Sequence, residues 1–160
     1  MEILSANTTN PINGPVKVVQ FGEGNFLRGF ADYMIDIANE QGNFNGTIVL
    51  VKPREGGNLE KFHAQDCQYT VSLRGLVNGK PQVSNRQITC IADAVHAYEE
   101  YEKYMALAEI DTLRFVISNT TEAGIVFDAT DKFELNPPKT FPGKLTKFLY
   151  HRYQTFHGNP

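Results

Sequence analysis

The chain has no tryptophan and only two cysteines among 160 residues. Two thiols, Cys67 and Cys90, are too few for a disulfide framework, so a reduced, cytoplasmic setting is expected. No basic block stands out and the formal net charge is -3, which argues against nucleic acid as a partner. No apolar run approaches the roughly 20 residues that span a bilayer, so no membrane is expected either. The opening, MEILSANTTNPINGP, lacks the basic start and apolar middle of a signal peptide. There is no Gly-x-Ser-x-Gly elbow and no P-loop Gly-Lys-Ser/Thr. What is present is the composition of a globular domain: 41% hydrophobic and 21% charged residues, in a length that buries one core.

Residues 1–15 read as a flexible leader and 16–160 as one domain. VKVVQF (16–21) is a short apolar run, consistent with a buried strand. From Asn25, apolar residues fall at Phe26, Leu27, Phe30, Ala31, Met34, Ile35 and Ala38, one face of a helix that Gly42 would stop. TIVLV (47–51) is apolar throughout, as in a parallel sheet covered on both faces. Residues 16–51 therefore read as one βαβ unit. In 69–88, two β-rich runs flank Asn78-Gly79, a strong hairpin signal. Asp93 is a candidate N-cap for a helix to about Glu109, with Val95, Tyr98, Met105 and Ala108 inward. LRFVIS (113–118) is another apolar strand and NTTEAG (119–124) a loop. After Pro142-Gly143, a last helix carries the stripe Leu145, Phe148, Leu149, Tyr153 and Phe156. The fold class is α/β: a Rossmann-like, doubly wound, mostly parallel sheet with an inserted antiparallel hairpin.

The stretch VVQFGEGNFLRGF (18–30) puts Gly-x-Gly between that first strand and first helix, the context a dinucleotide fingerprint requires. Gly22 permits a sharp turn, Gly24 has no side chain to block a pyrophosphate, and free N–H groups at Asn25–Leu27 would face the phosphates. The third glycine of the fingerprint is Leu27 here; Gly29, two residues on, could take over close helix–strand packing. A plain β–α turn, S-adenosylmethionine or another nucleotide remain open at this level. The second strand ends Val51-Lys52-Pro53-Arg54, without the acid that holds the ribose of NAD. Glu55 lies just beyond. Lys52 or Arg54 could meet the 2′-phosphate of NADP, or simply be solvated.

Ser118-Asn119-Thr120-Thr121-Glu122 follows an apolar strand, where open parallel sheets bind ligands; turn chemistry explains the same residues. His63 and Cys67 have metal-ligand spacing, but two groups do not make a site. His151 and His157 show no acidic partner. Tyr98, Tyr101 and Tyr104 read as one face of an amphipathic helix. Pro142-Gly143-Lys144-Leu145-Thr146 could bind an anion or merely start a helix.

Taken together, QFGEGNFLRGF, YTVSLRG, RFVISNTTEAGI and TFPGKLTKFLYHRY resemble the N-terminal domain of the mannitol dehydrogenase, or polyol-specific long-chain dehydrogenase, family. The resemblance runs from about Val16 onward, and Asn119-Thr120-Thr121-Glu122-Ala123-Gly124 narrows it to a branch acting on sugar acids. It implies an NAD-dependent oxidoreductase that interconverts D-tagaturonate and D-altronate in cytoplasmic hexuronate breakdown. Carried over by motif, the cofactor loop is Val19, Gln20, Phe21, Gly22, Glu23, Gly24, Asn25, Phe26, Leu27, Arg28 and Gly29. Lys52, Arg54, Asn119, Thr120, Thr121 and Glu122 join it as candidates. The missing strand-end acid keeps NADP alongside NAD.

Family members carry a second, helical domain whose Lys-x-x-x-x-Asn-x-x-His motif supplies the catalytic base and holds the sugar carbonyl. This sequence stops before such a motif, so the resemblance implies a fragment that would work with its own C-terminal domain and a sugar-acid substrate. No catalytic residue is assigned within it. A relative acting on fructuronate or mannitol, or a nucleotide sensor without chemistry, would carry the same features.

Overall fold

The computed structural model describes residues 4, 5 and 9–158. In chain order the elements are β1 (Val16–Phe21), α1 (Asn25–Gly29), α2 (Ala31–Glu40), β2 (Thr47–Lys52), α3 (Glu60–His63), β3 (Tyr69–Val77), β4 (Lys80–Ile88), β5 (Ile91–His96), α4 (Tyr101–Ala106), β6 (Phe115–Ser118) and α5 (Phe141–Thr155). Short 3₁₀ turns cover Leu107–Glu109 and Glu122–Gly124. No helix among the described residues is long and apolar enough to cross a membrane.

Four strands form one parallel sheet in the order β5-β2-β1-β6. Side chains alternate across it. Val19, Phe21, Val49, Val51 and Val95 face a core closed by Tyr104, Leu107, Leu113 and Phe148. Val18, Ile48, Leu50 and Ala94 face the opposite core, with Leu59, Tyr69, Ile88 and Cys90. Both faces are covered, which is why β1 and β2 read as continuous apolar runs. At the centre of the first core, Phe21 meets Tyr104, Phe141 and Phe148 edge-on, and Tyr104 stacks on Phe148.

The second sheet is the expected hairpin, with Tyr69 paired to Ile88 and Val77 to Lys80. Its turn places Asn78 at φ 51° and Gly79 at φ 76°, the two left-handed positions that a two-residue primed turn demands. Most of the hairpin is exposed; its base is tied down by Arg86. Arg86 Nε donates to Asp36 Oδ1 at 2.8 Å and Nη1 to Glu40 Oε2 at 2.8 Å. Asp36 also accepts from the Thr89 amide at 2.8 Å.

Several local expectations are corrected. Asp93 caps no helix: it lies inside β5, paired to Val49. The run Ile91–His96 is drawn into the sheet by its parallel partner β2, and the helix starts only at Tyr101. The first helix is two, broken at Phe30 (φ -120°, ψ -73°). Its apolar stripe marks the buried face only in part: Leu27 is buried and Ile35 packs on the second core, but Phe26, Phe30 and Met34 are each more than half exposed, whereas Asp32 and Asp36 are buried. In α5 only part of the stripe turns inward. Phe148 is buried, Leu149 and Tyr153 are exposed, and Lys144 is buried instead. Finally, His151 does have an acidic neighbour, with Nε2 2.8 Å from Glu109 Oε1. Its partner is remote in sequence and becomes adjacent only when α5 packs on the 3₁₀ turn.

The leader expected over 1–15 lies partly outside the described residues. Of its described part, the Ile12 amide donates to Thr89 O at 3.1 Å, and Ile12 packs on the second core.

The Arg86 clamp predicts its own test. Arg86→Ala strands the Asp36 carboxylate, only 4% exposed in its side chain, without its cation. We expect a loss of about 2–3 kcal/mol, below the full range for a buried pair because Arg86 itself is partly wet and Thr89 still donates. Urea unfolding measures it; a change under 0.5 kcal/mol would show that the hairpin is held by packing alone.

Candidate functional site

Strands β2 and β5 leave β1 on one side and β6 lies on the other. The chain order therefore reverses at the β1/β6 junction, where open α/β sheets bind ligands beyond their carboxyl ends. A cleft of about 600 Å³ opens there. It is lined by Phe21, Gly22, Glu23, Gly24, Phe26 and Leu27 from the glycine loop and by Pro53, Arg54 and Glu55 after β2. Tyr98 follows β5, and Asn119, Thr120, Thr121, Ala123, Gly124 and Val126 follow β6. Lys139, Thr140 and Phe141 close it at the start of α5. Two motifs a hundred residues apart in sequence thus share one cavity.

Gly22 adopts φ 112°, which an L side chain resists. Its amide donates to Val51 O at 2.8 Å, locking the turn onto β2. A Cβ on Gly24 would meet no protein atom within 4 Å, so the backbone lies bare to the cleft. Gly24 is also the N-cap of α1, and among the described residues no side chain caps that helix, which leaves its first amides open to a ligand. At the fingerprint's third position, Leu27 is buried, in contact with the place where a Gly22 Cβ would be. Gly29 does not take over close packing, because an added Cβ there meets nothing.

The remaining candidates divide. Val19 and Gln20 are buried in β1 beneath the loop. Asn25, Arg28, Gly29, Lys52 and Glu122 are not among the lining residues. Arg28 bonds to Asn25 and lies over the rings of Phe62 and Tyr69. Lys52 turns its ammonium to Glu23 Oε1 at 3.1 Å. Arg54 is exposed at the cleft, with no ion-pair partner among the described residues. Ser118 bonds to Thr120, ordering the start of the second loop.

Tertiary contacts bring further residues to the cleft. Local pattern places Tyr98 on a helix; it stands instead in the turn after β5, its hydroxyl donating to Lys139 O at 2.8 Å. Behind it, Lys144 Nζ lies 4.2 Å from the Tyr98 ring centroid and donates to Lys139 O at 2.8 Å. Burial lowers the Lys144 pKa to about 8 despite the Asp131 and Glu55 carboxylates. The start of α5 is no anion site. Thr140 accepts from the Gly143 amide at 3.0 Å, and Asp131 accepts from the amides of Lys139 and Thr140. The helix start already has its carboxylate.

Beneath the glycine loop lies Asp32. Its Oδ2 accepts from Tyr69 Oη at 2.6 Å and from Gln20 Nε2 at 3.4 Å, and Gln20 Nε2 also reaches Gly22 O at 3.2 Å. Asp32 and Asp36 are four apart on one helix face, and that spacing was the available clue to a buried acidic edge.

His63 and Cys67 gain Asp93 in the fold, their ligand atoms all within 4.8 Å of one another. Lys103 already pairs with Asp93 Oδ2 at 2.9 Å, and burial followed by Asp93 pushes the Cys67 thiol up to about 11. The group is an ion pair beside a protonated thiol.

A four-stranded parallel sheet in this order, with an open glycine loop at its switch point, defines a Rossmann-type nucleotide-binding domain. The chain belongs to the mannitol dehydrogenase family: the family's Rossmann-domain model matches residues 16–158. It is 46% identical over 99% of its length to an altronate oxidoreductase of Phocaeicola vulgatus. It is 48% identical over 91% of its length to one of Bacillus subtilis. The chain spans about a third of the length of these curated relatives, 33% and 30%. Among solved structures, its fold is similar to a substrate-free D-sorbitol dehydrogenase (TM-score 0.71, 23% identity, 96% of this chain and 37% of that one). It is also similar to a Pseudomonas fluorescens mannitol 2-dehydrogenase in complex with NAD and D-mannitol (TM-score 0.74, 20% identity, 96% and 36%).

Burial, opposed by its Tyr69 and Gln20 hydrogen bonds, raises the Asp32 pKa from 3.8 to about 6. A raised carboxyl keeps its proton in the fold where the unfolded chain has lost it, so stability falls as pH rises from about 4 to 6 and stays lower above. The shift of about 2 units sets the loss at no more than about 3 kcal/mol. Asp32→Asn should flatten that part of the stability–pH curve measured by urea unfolding between pH 4 and 7. An unchanged slope would place the proton elsewhere.

Proposed function

We propose that this chain is the nucleotide-binding part of an altronate oxidoreductase, or tagaturonate reductase, which interconverts D-tagaturonate and D-altronate with NAD(H). The observation that carries the reading is the bare Gly22–Gly24 turn opening into a cleft at the switch point, in a chain nearly half identical to enzymes of that name. The residues present fit a dinucleotide. Gly24 leaves room for a diphosphate, the uncapped amides of α1 supply donors, and the Asn119–Thr121 loop lines the same cavity across the junction.

When bound, the nicotinamide supplies or accepts the hydride exchanged with the sugar-acid carbon. This chain's own residues bind and orient. The glycine-loop amides hold negative charge, Tyr98 and Pro53 wall the end beyond β2 and β5, and the threonines after β6 wall the other. The sugar acid and the proton-transferring residues belong, in this reading, to a C-terminal domain, and the enzyme works in the cytoplasm. The match to oxidoreductases over almost the whole chain favours this over a nucleotide sensor.

NADH titrated into the protein and followed by its fluorescence should bind saturably. Gly24→Val should weaken binding at least tenfold by placing a branched side chain where the diphosphate must approach. Unchanged affinity would remove the glycine loop from the site. With tagaturonate and NADH the 160-residue chain alone should show no turnover; clear turnover would refute the assignment of the chemistry to another domain.

A further inference from the structure

We propose that Glu23, the residue between the two loop glycines, does the work of the missing strand-end acid: its carboxylate receives the adenosine ribose hydroxyls and excludes a 2′-phosphate. The proposal rests on the dinucleotide reading above and goes beyond it by assigning the choice of cofactor to one side chain.

The end of β2 offers no acid; it reads Lys52-Pro53-Arg54. In parallel pairing with β1, however, the end of β2 lies beside the loop that follows Phe21. Glu23 reaches across that gap. Its Oε1 takes the Lys52 ammonium at 3.1 Å, while Oε2 makes no hydrogen bond among the described residues. Glu23 lines the cleft and Lys52 does not. A Cβ on Gly57 would lie 3.5 Å from Lys52 Nζ, so the ammonium is hemmed between that loop and Glu23, its side chain 13% exposed.

Two consequences follow from charge and geometry. Lys52, which sequence alone makes a candidate for the 2′-phosphate, is spent on Glu23 and instead fixes where that carboxylate stands. The charged residues lining the cleft are Glu23 and Glu55 with Arg54 and Lys139, and of these Glu23 alone comes from the glycine loop. A carboxylate accepts two ribose hydroxyls in charge-assisted bonds, whereas a phosphate placed beside it meets like charge across a partly dry wall. Arg54 and Lys139 are exposed and so more strongly screened than the Glu23–Lys52 pair.

The test is a pair of dissociation constants, for NADH and NADPH, measured by fluorescence titration on the wild type and three variants checked for folding by thermal melting. The wild type should prefer NADH at least tenfold. Glu23→Gln, with Glu23→Ser as a second uncharged variant, should narrow that ratio to under threefold, chiefly by tighter NADPH binding. Glu23→Asp retains the charge and should keep NADPH out. A wild type that prefers NADPH, a ratio unmoved in the uncharged variants, or an Asp variant that behaves like Gln would each overturn the proposal. Where both nucleotides bind and both are lost in Gly24→Val while Glu23→Gln leaves the ratio alone, the site stands and the role of Glu23 falls. Should neither nucleotide bind the wild type, the site reading falls and takes this one with it.

Discussion

Everything at the cleft depends on β1 having a parallel partner on each side. Val18 to Phe21 are paired to Ile48–Val51 on one edge and to Phe115–Ser118 on the other. Their side chains are buried on both faces of the sheet. The strand cannot shift by one residue without exchanging its two cores, since Val19 and Phe21 serve one and Val18 the other. The point where the chain leaves β1 is therefore fixed, and with it the position of Gly22 and Gly24 relative to the ends of β2 and β6. A ligand that spans the β1/β6 junction finds its two walls already at their separation.

The support beneath the loop is polar, which sets it apart from the cores on either side. Gln20, Asp32 and Tyr69 link β1, α2 and the hairpin through hydrogen bonds under the glycine turn. Among the described residues Asp32 Oδ1 and Gln20 Oε1 have no hydrogen-bond partner, and burial raises the Asp32 pKa to about 6. Such a network holds geometry at some expense in stability. The Arg86 clamp on Asp36 and Glu40 repeats the theme one turn along α2. The hairpin is thus more than an excursion from the main sheet, because its base braces the helix that follows the glycine loop.

Some of this was legible in residues alone. The apolar runs 16–21 and 47–51, the Asn78-Gly79 turn and the Gly-x-Gly between strand and helix each state a local requirement, and local requirements survive folding. The structure departs from the local pattern where a partner distant in sequence outweighs it. Asp93 looks like a helix cap until β2 recruits its neighbours into the sheet. Phe26, Phe30 and Met34 look as buried as Leu27 and Ile35 of the same stripe, yet they are exposed, while Tyr69 and Arg86 bond to Asp32 and Asp36 on the inward face. Lys52 looks like a free cation until Glu23, 29 residues away, pairs with it.

By itself the sequence determined the alternation of strands and helices, the turn that needs two left-handed residues, and the presence of a loop with no side chain to obstruct a phosphate. These follow from covalent geometry and from the period of apolar residues, which neighbours in the chain already set. Only the tertiary structure decided that the glycine loop and the Asn119–Thr121 loop share one cavity, that Tyr98 walls it, and that Glu23 rather than Lys52 faces its interior. Those are facts about strand order and about which charges meet, and both are fixed by contacts between residues that the chain itself keeps far apart.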